Sequence, residues 1–253
     1  METIQLTIEL LALLFAVAVF AGFVDTLAGG GGLITVPTLI LIGMPPIMAL
    51  GTNKLQGCTG TATATLIMFR KGKIEWVKVK GLMLYAFLGA ALGTLVLQFV
   101  STDTLKYIVP VVLLVIAVYF IFSSRLKVNE LKPRITVNLY QKTVVPGIGF
   151  YDGFFGPGTG SFFSLAGVAL RGQSLLDATA TAKALNFSAN IASLVVFIFA
   201  GKIVWAAGLA MMAGQVIGAW LGAHSLFHIP TNILRLVIVA VCISMLCRYL
   251  MQM

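Results

Sequence analysis

Two aspartates and two lysines stand inside long apolar runs of this chain. Asp25 and Asp152 each lie just ahead of a glycine-rich interruption, and Lys54 and Lys183 each lie early in an apolar run that follows. At the centre of a bilayer each such charge costs about 2.5–3.5 kcal/mol, and the four together cost roughly 10–14 kcal/mol if unpaired and facing lipid. They must face inward. Two uses fit: structural Asp–Lys salt bridges, one per half of the chain, or lysines that offer positive charge to an anionic solute, with aspartates that orient them or carry a proton. Both lysines are expected about five residues into their helices, where a cation opposes the helix dipole, and a negative ligand would complete such a site. Thr52, Asn53 and Gln56 around Lys54, and Asn186, Ser188 and Asn190 after Lys183, could donate to oxyanion oxygens or bond between helices.

The interruptions are Gly29, Gly30, Gly31 and Gly32 in the first case, and Gly156, Pro157, Gly158, Thr159, Gly160 and Ser161 in the second. Irregular backbone in hydrocarbon leaves N–H and C=O groups unpaired, so it persists only where protein or a watery cavity surrounds it. The glycines permit positive φ and close approach by another backbone, and Pro157 stops a helix from running through. The apolar run after each break starts with free N–H groups and a positive dipole end, which suits an anion.

These residues need helices to hold them in a membrane. Of 253 residues, 59% are hydrophobic and 10% charged, and the mean hydropathy is +1.03. A soluble domain is excluded on composition, and roughly 20 residues per crossing leaves room for at most about eight spans. The net charge of +9 comes largely from two clusters beside apolar runs: Arg70, Lys71, Lys73, Lys78 and Lys80, then Arg125, Lys127, Lys132, Arg134 and Lys142. That is the pattern of cytoplasmic loops, and neither cluster carries a nucleic-acid motif, so the partners expected are a lipid bilayer and a small anion, with no nucleic acid.

The chain also repeats itself. Gly22, Phe23 and Asp25 match Gly149, Phe150 and Asp152 at an offset of 127, as do Gly29 with Gly156 and Gly31 with Gly158. The offset then becomes 129 for Gly43 with Gly172, Lys54 with Lys183, and Gly72, Lys73, Ile74 and Trp76 with Gly201, Lys202, Ile203 and Trp205. A constant offset through Asp, Lys and Trp indicates duplication. Two membrane repeats, 6–124 and 138–250, are joined by a basic linker, 125–137. Each reads as a glycine-broken, re-entrant segment followed by three spans: 49–69, 80–100 and 105–122, then 178–200, 203–226 and 233–250. Charge counting favours inverted over parallel halves. The inverted arrangement puts both basic clusters, with His224, His228 and Arg235, inside, and both termini and Lys202 outside. The expected fold class is therefore an all-α polytopic membrane protein built from two inverted repeats.

Other motifs carry less. Gly89 with Gly93 and Gly218 with Gly222 are GxxxG pairs that bring helices together within one protomer or between protomers of a homo-oligomer. Cys58, Cys242 and Cys247 are odd in number and lack metal-ligand spacing, and His224 and His228 have no third ligand, so neither a metal nor another cofactor is expected. Trp76, Trp205 and Tyr249 sit near span ends as interfacial anchors do. An intramembrane hydrolase built on Ser161 lacks a nearby base, and Gly153 to Ser161 lacks the lysine of a phosphate-binding loop, so no enzyme is expected.

The segments AGFVDTLAGGGGLITVP, GTNKLQ, YDGFFGPGTGSF, AKALNFSAN and GKIVW resemble, in order and over essentially the whole chain, the sulfite exporter TauE/SafE family of prokaryotic membrane transporters. The resemblance implies an inner-membrane permease for small anions such as sulfite or organosulfur anions, with export as the direction. It carries a candidate site onto Asp25, Gly29 to Gly32, Asn53, Lys54, Asp152, Gly156 to Ser161, Lys183, Asn186 and Asn190. The expectation is a secondary transporter working by alternating access, with proton coupling through Asp25 or Asp152; the alternative is a passive anion channel.

Overall fold

A computed structural model describes residues 6–105 and 132–226, with residues 108, 111, 112 and 115 between them. The expected spans 105–122 and 233–250 fall almost wholly outside the described residues, as do His228, Arg235, Cys242, Cys247 and Tyr249. The described elements are helical. They are α1 (Ile8–Ala28), α2 (Gly32–Leu41), α3 (Pro46–Arg70), α4 (Trp76–Leu97), α5 (Val145–Phe154), α6 (Thr159–Arg171), α7 (Leu175–Phe199) and α8 (Trp205–Ser225). One turn, Val137–Leu139, and a π-helical turn, Tyr140–Val144, lead into α5. Helices α1, α4, α7 and α8 are long and apolar enough to cross a membrane.

Polar residues start and stop these helices. The Thr7 hydroxyl caps α1 by accepting from the Leu10 N–H, and Ser174 caps α7 by accepting from the Asp177 N–H. Gly29 ends α1 with φ +75°, its N–H bonded to the Asp25 carbonyl at 2.6 Å. Positive φ recurs at repeat-matched glycines: 29 and 156, 43 and 172, 72 and 201. The match fails inside the break, where Gly158 has φ +84° but Gly31 sits at −57° in the right-handed region.

The two broken segments turn back. Leu39 and Met44, at the end of α2, pack with Leu14 and Ala18 of α1. In the second half the Arg134 N–H donates to the Leu170 carbonyl at 2.9 Å and the Arg171 guanidinium donates to the Ile135 carbonyl, so the end of α6 lies beside the approach to α5. Each break is therefore the tip of a hairpin.

Glycines set which helices touch. A Cβ on Gly214, Gly218 or Gly222 of α8 would strike in turn the backbone at Phe15, Val19 and Phe23 of α1, so these helices run parallel at backbone contact. Gly149 and Gly153 of α5 meet Ala86 and Ala90 of α4 in the same way. Without a hydrophobic force between helices in lipid, small residues that let backbones approach supply the packing. Both GxxxG pairs thus face partners within this chain. Along α3, Leu55 packs on Gly208, Thr59 bonds the Met212 carbonyl and Lys71 the Ala223 carbonyl, so α3 and α8 are parallel. Ser188 of α7 donates to the Met83 carbonyl, and Ala189 and Ala192 cluster with Ala90, so α4 and α7 are parallel too. Gly51 abuts Phe197 and the Lys202 carbonyl, whereas Met68 shares a cluster with Ala180 and Ala184; α3 and α7 are antiparallel.

Many large apolar side chains point outward. Leu84, Leu88, Leu92, Leu209, Val216 and Trp220 are all exposed, while the interior combines alanines and glycines at the helix contacts with large residues such as Leu14, Leu33, Phe163 and Phe197. Helix α3, 25 residues long, is polar inside, as is its repeat mate α7, which buries Thr179, Lys183, Asn186, Ser188, Asn190 and Ser193. Helix α3 buries Thr52, Asn53, Lys54, Gln56 and Thr61, and is shielded by α2, α7 and α8.

A candidate anion site between the hairpin tips

The two hairpin tips meet. A Cβ on Gly160 would stand 2.8 Å from the Gly29 Cα, and the Ser161 hydroxyl donates to the Ala28 carbonyl. Such contact requires glycine at position 29, whose positive φ also disfavours any side chain. Behind this junction the four intramembrane charges pair across the halves. Lys54 lies 2.8 Å from Asp152, and Lys183 lies 3.1 Å from Asp25 and also donates to the Asp25 carbonyl. Both lysines and Asp152 are buried to within 1–2% of full coverage, whereas the Asp25 side chain keeps 17% exposure. The expected pairing of Asp with Lys within each half is thus replaced by pairing between halves. Crossing is forced by the fold, since α1 and α5 end against the opposite half's long helix.

A polar cavity of about 30 Å³ opens beside the Lys54–Asp152 pair. That is room for about two waters. Its wall takes in Asp25, Gly29, Gly31, Gly32, Asn53, Lys54, Asp152, Gly156, Gly158, Thr159, Asn186 and Asn190 from the sequence-based set. Gly30, Gly160, Ser161 and Lys183 stand outside the wall: Ser161 and Gly160 form the tip junction, and Lys183 lies behind Asp25. Thr52 and Ser188 are spent on structure, Thr52 accepting from the Val204 N–H at 3.0 Å and Ser188 donating to the Met83 carbonyl.

Hydrogen bonds hold the wall in place. Gly31 N–H donates to one Asp25 oxygen at 3.0 Å, which locks the first tip to its own helix. The Asn53 oxygen accepts from Thr35 at 2.6 Å and from the Gln56 amide at 2.7 Å, leaving its NH₂ beside Gly32. Asn190 accepts from Lys54 at 3.2 Å and donates to Asn186 at 3.3 Å. The starts of α2 and α6, Gly32 and Thr159, both reach the cavity, with first-turn amides largely spent on nearby carbonyls: Leu33 on Gly30, Ile34 on Gly31, Thr159 on Gly156 and Ser161 on Gly158.

One expectation about the lysines changes. Helix α3 begins at Pro46 and α7 at Leu175, earlier than the apolar runs suggest, so each lysine is eight residues beyond the helix start and past the reach of its dipole. Positive dipole ends at the cavity come from the hairpin helices alone. Sequence reasoning also missed Gly57, Thr61 and Gln215, all in the cavity wall. The signal available was departure from the repeat: these positions match Asn186, Asn190 and Ala86 in the other half.

Residues 14–249 match the family described as Sulfite exporter TauE/SafE. The chain belongs to that family. Among curated TauE/SafE-related proteins it is 45% identical over 232 residues to a "Probable membrane transporter protein" of Haemophilus influenzae, covering 92% of this chain and 91% of the relative. It is 43% identical over 246 residues to "Probable membrane transporter protein ORF9" of a Sinorhizobium species, covering 97% and 94%. It is 41% identical over 232 residues to "Probable membrane transporter protein YfcA" of Escherichia coli, covering 92% and 86%. No solved structure matches the chain. The TauE/SafE protein is therefore a multi-pass membrane transporter, and its polar cavity lies among the helices that carry the family's match.

Proposed function

We propose that this TauE/SafE protein is a secondary transporter of the inner membrane that exports a small anion, sulfite or an organosulfur anion, by alternating access around the cavity between the hairpin tips. The observation that carries this reading is the crossed pairing of two buried lysines with two aspartates at a polar cavity where two helix starts converge. With both pairs ionised the four side chains sum to zero, so an anion gains a lysine only by displacing or protonating its carboxylate. Proton coupling through Asp25 or Asp152 follows from that exchange. Contact between the tips through Ser161 and Ala28 supports a gate over an open pore, and so a carrier over a passive channel.

The halves, 6–124 and 138–250, are read as inverted repeats about the 125–137 linker. Antiparallel α3 and α7 support this, as does the charge at the two ends of the bundle. Arg70, Lys71, Lys73, Lys78, Lys80, Lys132, Arg134, Lys142 and Arg171 gather at the end where Lys71 meets Ala223. Lys202 stands at the other end, with the start of α1. The positive-inside rule makes the first end cytoplasmic and puts both termini outside.

Flux of sulfite, thiosulfate, sulfoacetate and carboxylates in proteoliposomes under imposed pH gradients tests the function. Accumulation driven by the gradient is the expected result. Asp25→Asn and Asp152→Asn should each flatten the pH dependence, and if both kept full transport with an unchanged profile, proton coupling through these residues would be lost.

A further inference from the structure

The cavity has two chemically different walls. On the side of the hairpin tips stand the Lys54 ammonium, the Asn53 NH₂ left over after its oxygen is doubly bonded and the starts of α2 and α6, together with the Asp25 and Asp152 carboxylates. On the side of α8 the polar groups are different. Gln56 is 1% exposed, and among the described residues its carbonyl oxygen has no hydrogen-bond partner, since its NH₂ is spent on Asn53. Thr61 gives its hydroxyl proton to the Gly57 carbonyl at 2.7 Å, so only its oxygen lone pairs remain to meet a solute. Gln215, 3% exposed, reaches the same wall from α8. Its side-chain oxygen sits where a Cβ on Gly22 would fall 2.7 Å away, and Gly60 gives it clearance from the other side.

A buried carbonyl without a donor costs on the order of 1–3 kcal/mol unless water or a ligand supplies one. This wall stands on one side of the duplicated frame only, where α3 of the first half meets α8 of the second. The repeat-matched positions of Gln56 and Gln215 are Leu185 and Ala86, so the other side of the duplicated frame is built with apolar residues there. The symmetric Asp–Lys frame therefore carries an asymmetric polar face made by Gln56, Thr61 and Gln215, with the Gln56 carbonyl and the Thr61 oxygen as its open acceptors.

We infer that the solute is a monoanion bearing an O–H or N–H donor at the end remote from its charge. The anionic group meets Lys54 at the hairpin tips as its carboxylate partner is displaced or protonated, and the Gln56–Thr61–Gln215 face selects for the donor. This rests on the transport reading above, whose cavity it uses. A fully deprotonated oxyanion, all acceptors, meets repulsion at this face, and an alkyl end leaves the Gln56 carbonyl unpaired.

Matched pairs of anions test it: 2-hydroxyethanesulfonate against propane-1-sulfonate, and glycolate against propionate, each pair equal in charge and in number of heavy atoms. Proteoliposome flux through the intact protein should favour the hydroxyl member of each pair by about tenfold in kcat/KM, the worth of roughly one hydrogen bond. Gln56→Leu and Gln215→Ala, which install the residues of the matching half, should bring that ratio close to one by lowering flux of the hydroxyl member more than that of the alkyl member. Equal handling of both members by the unaltered protein, preference for the alkyl member, or an equal loss for both in the variants overturns the inference while leaving anion transport standing. The wild-type ratio decides the matter even if neither variant folds. Flux of none of the four anions, nor of the oxyanion panel, would remove the transport reading and this inference together.

Discussion

At the scale of single residues, the decisive fact is that Lys54 and Asp152 are both buried to 2% side-chain exposure and 2.8 Å apart. Removing one member of such a pair leaves the other charged and undersolvated, which costs about 3–5 kcal/mol, whereas replacing both by apolar groups is often neutral. Lys54→Met should therefore unfold in detergent at a markedly lower temperature. Lys54→Met combined with Asp152→Leu should recover most of the loss, and neither should transport an anion. Restored flux in the double variant would mean that the ion pair only supports the fold. Gly29 makes a second residue-scale prediction. Its φ of +75° and its contact with Gly160 leave no space for a methyl group, so Gly29→Ala should separate the tips and abolish coupled flux, read as loss of gradient-driven accumulation.

At the scale of elements, the contacts that matter are backbone against backbone. Gly218 packs on the Val19 carbonyl and Gly93 on the Phe150 carbonyl, each joining the broken helix of one half to a long helix of the other. Gly218→Val or Gly93→Val forces these axes apart. Overpacking of this kind costs about 1–3 kcal/mol, and the displacement also carries Asp25 or Asp152 away from its lysine. The expected outcome is reduced thermal stability together with lost flux. Gly147 is the control: it lies in α5 with nothing within 4 Å of the place a Cβ would occupy, so Gly147→Ala should leave both measurements unchanged or slightly raise stability.

At the scale of the whole molecule, each hairpin is clamped by the opposite half, so the halves are interleaved and share one interior. On the alternating-access reading proposed above, their movement relative to each other would expose the cavity first to one side and then to the other. Membrane sidedness is measurable. In a background with Cys242 and Cys247 replaced by Ser, Lys73→Cys should react with an impermeant maleimide only from the cytoplasmic face, and Lys202→Cys only from the outside, with the remaining Cys58 buried. Labelling of both from one face would replace the inverted reading with a parallel one.

Composition and spacing were enough to place this chain in a bilayer, to expose its duplication and to mark Asp25, Lys54, Asp152, Lys183 and both glycine breaks as interior, because charge and irregular backbone are too costly in hydrocarbon to occur idly. The glycines also permitted close approach by another backbone or a solute, but that the two tips meet each other came only from the tertiary structure. The helix starts at Pro46 and Leu175 escaped because Pro46 in one case and the Ser174–Asp177 cap in the other begin the helix ahead of its apolar stretch, a signal that hydropathy alone passes over. The pairing of Lys54 with Asp152 and of Lys183 with Asp25 was beyond any local signal, since partner choice depends on how two halves interlock and a periodic pattern carries no record of it. Gln215 and Thr61 enter the cavity only because α8 lies along α3. Amide and hydroxyl residues in a helix become part of a site when a neighbour's glycines let them approach, and that is a property of packing in three dimensions.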